Sequence, residues 1–63
     1  MTLTTVREIN TACRRFTPVV AVCTYQGKQR QARIIRARMH KGILQGLLLG
    51  VQRWAPITQA WSA

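Results

Sequence analysis

Lys28, Arg30, Arg33, Arg36, Arg38 and Lys41 fall in one short stretch, KQRQARIIRARMHK, with Tyr25 just ahead of it. Closely spaced guanidinium and ammonium groups do one kind of chemistry well: they neutralise the phosphates of a polyanion and release its condensed counterions. Tyr25, Trp54 and Trp61 offer ring faces on which unpaired bases stack. Each is equally a large apolar side chain of the kind a small core needs for burial. The excess of positive charge extends along the whole chain. Ten Lys and Arg face a single acid, Glu8, for a formal net charge of +9 in 63 residues. Such an excess cannot be neutralised within the chain, and it predicts a polyanionic partner: nucleic acid, an anionic membrane surface or an acidic protein surface.

The same residues argue against catalysis. One carboxylate cannot make an acid/base pair, and Cys13 or Cys23 with His40 as its base would need a tertiary coincidence that no spacing foretells. The glycines lack the lysine and the serine or threonine that complete a phosphate-cradling loop. Cys13 and Cys23 are not in a CxxC arrangement and His40 is the only histidine, so a tetrahedral zinc site within the chain is not expected. The expectation is a non-enzyme without cofactor or metal. Its two cysteines are expected to be free thiols in a reducing compartment. The start, MTLTTVRE, has no basic stretch leading into an apolar run, which fits a cytoplasmic protein.

These side chains must be positioned by local structure, and the sequence marks its elements. Thr5-Val-Arg-Glu8 reads as a capping box that starts a helix. Val6, Ile9, Cys13 and Phe16 recur at helical spacing as one apolar stripe, Arg14 and Arg15 lie in the last turn, and Thr17-Pro18 ends the helix. VVAVCTY, residues 19–25, is dense in strand formers, and Gln26-Gly27-Lys28 supplies a hairpin turn. In the following run Ala32 and Ile34 share one strand face while Ile35, Ala37 and Met39 have the other parity. A single strand over 29–40 therefore needs a bulge or bend at Ile34-Ile35 to keep both sets inward, and Arg36, Arg38 and His40 then point outward together. A rival reading makes 29–40 a basic helix, since Ala32, Ile35, Met39 and Ile43 also fit helical spacing.

Gly42, Gly46 and Gly50 in GILQGLLLGV have the small-xxx-small spacing of membrane helices. The uncharged run 42–52 is nevertheless far short of the ~20 residues a spanning helix needs. An amphipathic helix with Leu44, Leu47, Leu48 and Val51 on one face would carry three glycines at roughly 1 kcal/mol each. A strand from Ile43 to Leu49 between turns at Lys41-Gly42 and Gly50 accommodates them better. Two short segments, Gln52 to Ala55 and Ile57 to Trp61, split by Pro56, would close the sheet. The fold class expected is α+β in a single domain, residues 1–63: an N-terminal helix followed by a small, strongly bent antiparallel sheet or barrel. So small a domain buries little surface, and Leu47, Leu48 and Leu49 are the natural suppliers of an apolar patch for a homo-oligomer.

A helix ending in Ala12-Cys13, a strand, the Gly-containing turn of YQGKQRQA, two further strands and a final I-T-x-x-W segment together resemble the small Sm-like or SH3-like barrels. The layout is similar to Rho-binding antiterminators of the Rof type. The run CTYQGKQRQARII looks like the start of a WYL domain, where a Y-x-G-K-x-R hairpin leads into a basic strand. The Rof type is acidic while this chain is basic, and the aromatic tripeptide that names the WYL domain is absent. The resemblance thus implies a barrel fold and a setting around nucleic-acid regulation, and it carries over no residues beyond Tyr25 and the basic hairpin. From size and basicity the expected function is a small nucleic-acid-binding or regulatory protein, of the sort found in a phage or mobile element. The alternatives are an interaction module for an acidic face of a larger nucleic-acid-processing protein, and a cationic membrane-active peptide using GILQGLLLGV as an interfacial helix.

Overall fold

The structure is a computed structural model and describes residues 2–62. The Thr5 box forms as the sequence predicts. Thr5 adopts an extended backbone and its hydroxyl accepts from Glu8 N at 3.1 Å, while Glu8 Oε1 accepts from Thr5 N at 3.2 Å. The helix it starts, α1 (Val6–Arg14), stops short of the Thr17-Pro18 signal. Phe16 N donates to Cys13 O at 3.1 Å and Thr17 N to Ala12 O at 3.0 Å, with Phe16 at φ 58°. This is a Schellman ending, which satisfies the orphan carbonyls before the proline is reached. Ile9 is wholly buried and Val6, Ala12 and Cys13 pack against the core. Phe16, expected to complete their stripe, is instead 92% exposed, because the left-handed residue turns the chain off the helix.

A short strand that the sequence reading lacked, β1 (Thr2–Leu3), precedes the helix and buries Leu3. After the helix come β2 (Val19–Tyr25), β3 (Lys28–His40), β4 (Ile43–Leu48) and β5 (Trp54–Ser62). Both of the first two hairpins turn on a pair of residues with positive φ, Gln26-Gly27 (54° and 76°) and Lys41-Gly42 (52° and 78°). That conformation matches the twist of the flanking strands, and it places Lys28 in the strand instead of the turn. Residues 29–40 are strand, so the basic-helix alternative fails: the two-residue turn hands the chain directly to a partner strand. The bend expected at Ile34-Ile35 is present. Ile34 faces Leu48 while Arg36 faces Leu47, leaving Ile35 as the extra residue. Ala32, Ile34 and Ala37 consequently all point inward. Ile35 and Met39 do not: Ile35 is the bulged residue and leaves the alternation, and Met39 lies beyond the end of the core, so both are exposed.

The bulge is also where β3 changes partner, pairing with β2 through Ile34 and with β4 from Ile34 to His40. β5 changes partner too, pairing with β4 over residues 54–56 and with β2 over 57–62. It is one strand, with no break at Pro56. The proline stands outside the β2 register, where its missing N–H costs little. Thr58 is an extra residue opposite β2, a second bulge that brings Ala60 inward after Ile57. β2, β3, β4 and β5 thereby close an antiparallel ring, with β1 added on the free side of β5 at Ala60 and Trp61. The outcome is one helix on a five-stranded antiparallel sheet.

So small a ring has little interior volume, and small residues line it in rows. Ala37, Gly46 and Ala55 stand side by side across β3, β4 and β5, and Ala32, Ala21 and Ala60 across β3, β2 and β5. Past the bulge the β3 edge that faced β2 has lost its partner strand. Asn10 of α1 replaces it, accepting from Ala37 N at 2.8 Å and donating to Ala37 O at 3.0 Å. The leucine run divides: Leu48 is in the core, Leu47 half-buried and Leu49 exposed. No helix among the described residues is long and apolar enough to cross a membrane.

Candidate nucleic-acid interface

Strand pairing decides where each cation points, since residues opposite one another share a face. Val19 and Ala21 are buried and face Ile34 and Ala32, so on this part of β3 the odd-numbered residues look outward, Arg33 among them. The bulge shifts the parity by one, and Arg36, Arg38 and His40 follow on the same outer side. Arg36, Arg38 and His40 therefore point outward together as the sequence predicts, and Arg33 joins them in one row. Without the bulge Arg33 would be on the opposite face from the other three.

The remaining cations of the stretch are set apart. Lys28 and Arg30 pair with Tyr25 and Cys23 on the inner-facing side of the hairpin arm, at the edge of the core that Cys23 belongs to. There Arg30 lines a hollow of about 250 Å³ with Tyr25, Leu49 and Val51. Lys41 sits in the turn at the far end of β3. The six cations and Tyr25 are thus distributed over two faces and a loop.

Arg38 differs from its neighbours. Its Nε donates to Gln45 Oε1 at 3.0 Å and its guanidinium lies 4.2 Å from the centroid of the Trp54 ring, a cation–π contact across β4. One face of Trp54 is thereby covered. Tyr25 is half-buried and packs on the core, and Trp61 is half-buried between Val20 and Thr2 in the sheet. All three aromatics proposed from the sequence as stacking platforms are partly covered. The fully open ring is Phe16. It escaped the sequence reading because its spacing continues the helical stripe and the glycine that normally marks a Schellman ending is absent.

Between α1 and the bulge of β3 runs an open groove of about 420 Å³ bordered by Asn10, Cys13, Arg14, Ile35 and Arg36. It continues past Cys13 and Ile35 into a hollow of about 250 Å³ that Phe16, Thr17 and Arg33 also line. Comparison with known proteins returns no matching family model, no matching curated protein and no matching solved structure. What the site does must therefore be argued from its own chemistry.

That chemistry is electrostatic. Cys13 Sγ donates to Ile34 O at 3.8 Å, and burial pushes its thiol up from the ordinary range, so it is held as the thiol and is a weak nucleophile. His40 is about 20 Å further along β3, too far away to act as its base. Both cysteines are free, and no three His, Cys, Asp or Glu side chains cluster among the described residues. Glu8, the one acid, is held by Thr4 and Thr5 at the start of α1. The outer row of β3 and the groove beside it have no carboxylate of their own to face.

Proposed function

We propose that the protein is a small, non-catalytic nucleic-acid-binding or regulatory protein whose phosphate-contacting surface is the outer face of β3. The observation that carries this reading is the bulge-aligned row Arg33, Arg36 and Arg38, in a chain of net charge +9 whose only acid is committed elsewhere. A phosphate backbone laid along the row would meet several guanidiniums in succession, each contact releasing counterions. In finer detail, the helix and closed ring are proposed to be an SH3-like or Sm-like barrel, in keeping with the resemblance to Rof-type antiterminators and WYL domains. The proposed compartment is the cytoplasm, and the proposed assembly a homo-oligomer.

A second reading, an interaction module for an acidic protein surface, has its own support: Met39 and Ile43 are exposed beside His40 and Lys41 at the β3–β4 turn. Mixed apolar and cationic tips of this kind suit protein contacts.

The discriminating experiment is a salt titration of binding to oligonucleotides of unrelated sequence. Arg33→Gln with Arg36→Gln should weaken all of them alike and lower the log–log salt slope by about 1.5 to 2. Both side chains are exposed, so the melting temperature should hold. An unchanged slope would remove this face as the phosphate surface. Tight binding to poly-glutamate but to no oligonucleotide would establish the second reading.

A further inference from the structure

Phe16 is an anomaly in the structure. Its backbone is left-handed at φ 58°, held so by the two hydrogen bonds of the Schellman ending, in the position where glycine is the usual occupant. Its ring is almost fully exposed. A benzyl side chain here gains nothing from the core, strains the backbone and presents apolar surface to water.

Its surroundings give it a use. Phe16 and Arg33 line one hollow, which continues through Cys13 and Ile35 into the groove bordered by Arg14 and Arg36. The face therefore combines a free aromatic ring, an exposed aliphatic side chain and three guanidiniums, with no carboxylate on its lining. The C-terminal end of α1 carries partial negative charge, which Arg14 and Arg15 outweigh.

We propose that this face binds single-stranded nucleic acid, Phe16 providing the platform for an unpaired base while Arg14, Arg33 and Arg36 take the flanking phosphates. The inference rests on the nucleic-acid reading and narrows it to strands with accessible bases. Charge complementarity selects a polyanion, and the ring selects among polyanions. A duplex keeps its base faces stacked and leaves Phe16 nothing to cover, and an acidic peptide would engage the arginines alone. An unpaired strand uses both, as aromatic side chains do in other channels that follow single strands.

The test compares wild type, Phe16→Gly, Phe16→Leu and Phe16→Tyr against three probes: a labelled oligothymidine of about twelve nucleotides, a duplex of equal length, and poly-glutamate. The wild type should prefer the single strand to the duplex. Phe16→Gly should lose about five- to a hundredfold in affinity for the single strand, with its melting temperature unchanged or raised, because glycine relieves the left-handed strain. Phe16→Tyr should restore binding. Phe16→Leu, with apolar area but no ring, should not. Poly-glutamate should be indifferent to every change at Phe16. The proposal is overturned if Phe16→Gly binds oligothymidine as wild type does, if single strand and duplex weaken equally, or if poly-glutamate weakens as much as the oligonucleotide. Should the wild type bind neither nucleic-acid probe, the nucleic-acid reading itself falls. Should Arg33→Gln with Arg36→Gln lower the salt slope while Phe16→Gly changes nothing, the base platform alone falls.

Discussion

Glu8 shows how far a single residue's chemistry is already committed by the fold. Its carboxylate accepts from the Thr4 hydroxyl at 2.9 Å and the Thr5 hydroxyl at 3.1 Å, and from both backbone amides. These bonds, those from Thr4 foremost, hold its carboxyl below the ordinary carboxylate range against a small opposing effect of burial. A pKa depressed in the folded state contributes stability that is complete above the unfolded value of about 4.3 and is lost as pH falls through the folded value. Wild type should therefore hold its melting temperature down to about pH 5 and lose it as pH falls further, to about pH 3. Glu8→Gln keeps an acceptor at the cap but cannot titrate, and it should lose less over the same interval. Parallel pH profiles for the two proteins would show that the cap does not sense protonation. The same residue-level logic separates Arg38 from Arg33 and Arg36. Arg38 is tied to Gln45 and stacked on Trp54, so its replacement would remove a contact that joins strands as well as a charge.

At the scale of elements, Gly46 explains why β4 approaches its neighbours so closely. A Cβ there would lie 2.9 Å from Ile34 Cγ2, 3.1 Å from Ile34 Cδ1 and 3.3 Å from Ile57 Cγ2. Gly46→Ala should destabilise by about 1 to 3 kcal/mol in chemical denaturation, as overpacking of a filled core does. Ile34→Val removes the Cδ1 atom and should recover part of that loss, so the double-mutant cycle should be non-additive by more than ~0.5 kcal/mol. An additive cycle would mean that the cost arises elsewhere. Of the three glycines that first resemble a membrane-helix motif, Gly42 and Gly50 serve turns with positive φ and only Gly46 serves packing. Much of this was legible in the sequence: the bounds of β2, the glycine turns, and the bulge, which the opposite parity of the inward residues Ile34 and Ala37 requires even though Ile35 and Met39 do not turn inward. The rest depended on tertiary structure. β1 exists only because β5 offers Ala60 and Trp61 to pair with. Pro56 is tolerated because β5 changes partner there. The exposure of Phe16 and the split of the basic residues between two faces both follow from where an element ends or bends, and periodicity within the element does not encode that.

For the whole molecule, closure of the ring and net charge act in opposite directions on self-association. Ring closure uses most strand edges within the chain, so copies have little edge left to pair through, and a net charge of +9 drives like molecules apart. What favours association is the apolar surface left outside. Leu49 and Val51, each 51% exposed, are beside each other in the hollow that Tyr25 and Arg30 also line. Of the leucine run, only Leu49 is largely exposed and so free to serve the proposed oligomer. Leu48 faces the core and reports on folding, so Leu48→Asp should unfold the chain by placing an unpaired charge in a buried site. Leu49→Asp with Val51→Asp should leave the fold intact by circular dichroism. The proposed oligomer should appear in sedimentation at micromolar concentration and strengthen as salt rises to about 0.5 M, where exposed charges more than ~5 Å apart are screened. The double aspartate variant should then sediment as a folded monomer at every salt concentration. A wild type that is monomeric even in high salt would show that Leu49 and Val51 serve another contact. An oligomer untouched by the two aspartates would move the interface to Met39 and Ile43 at the opposite end of β3.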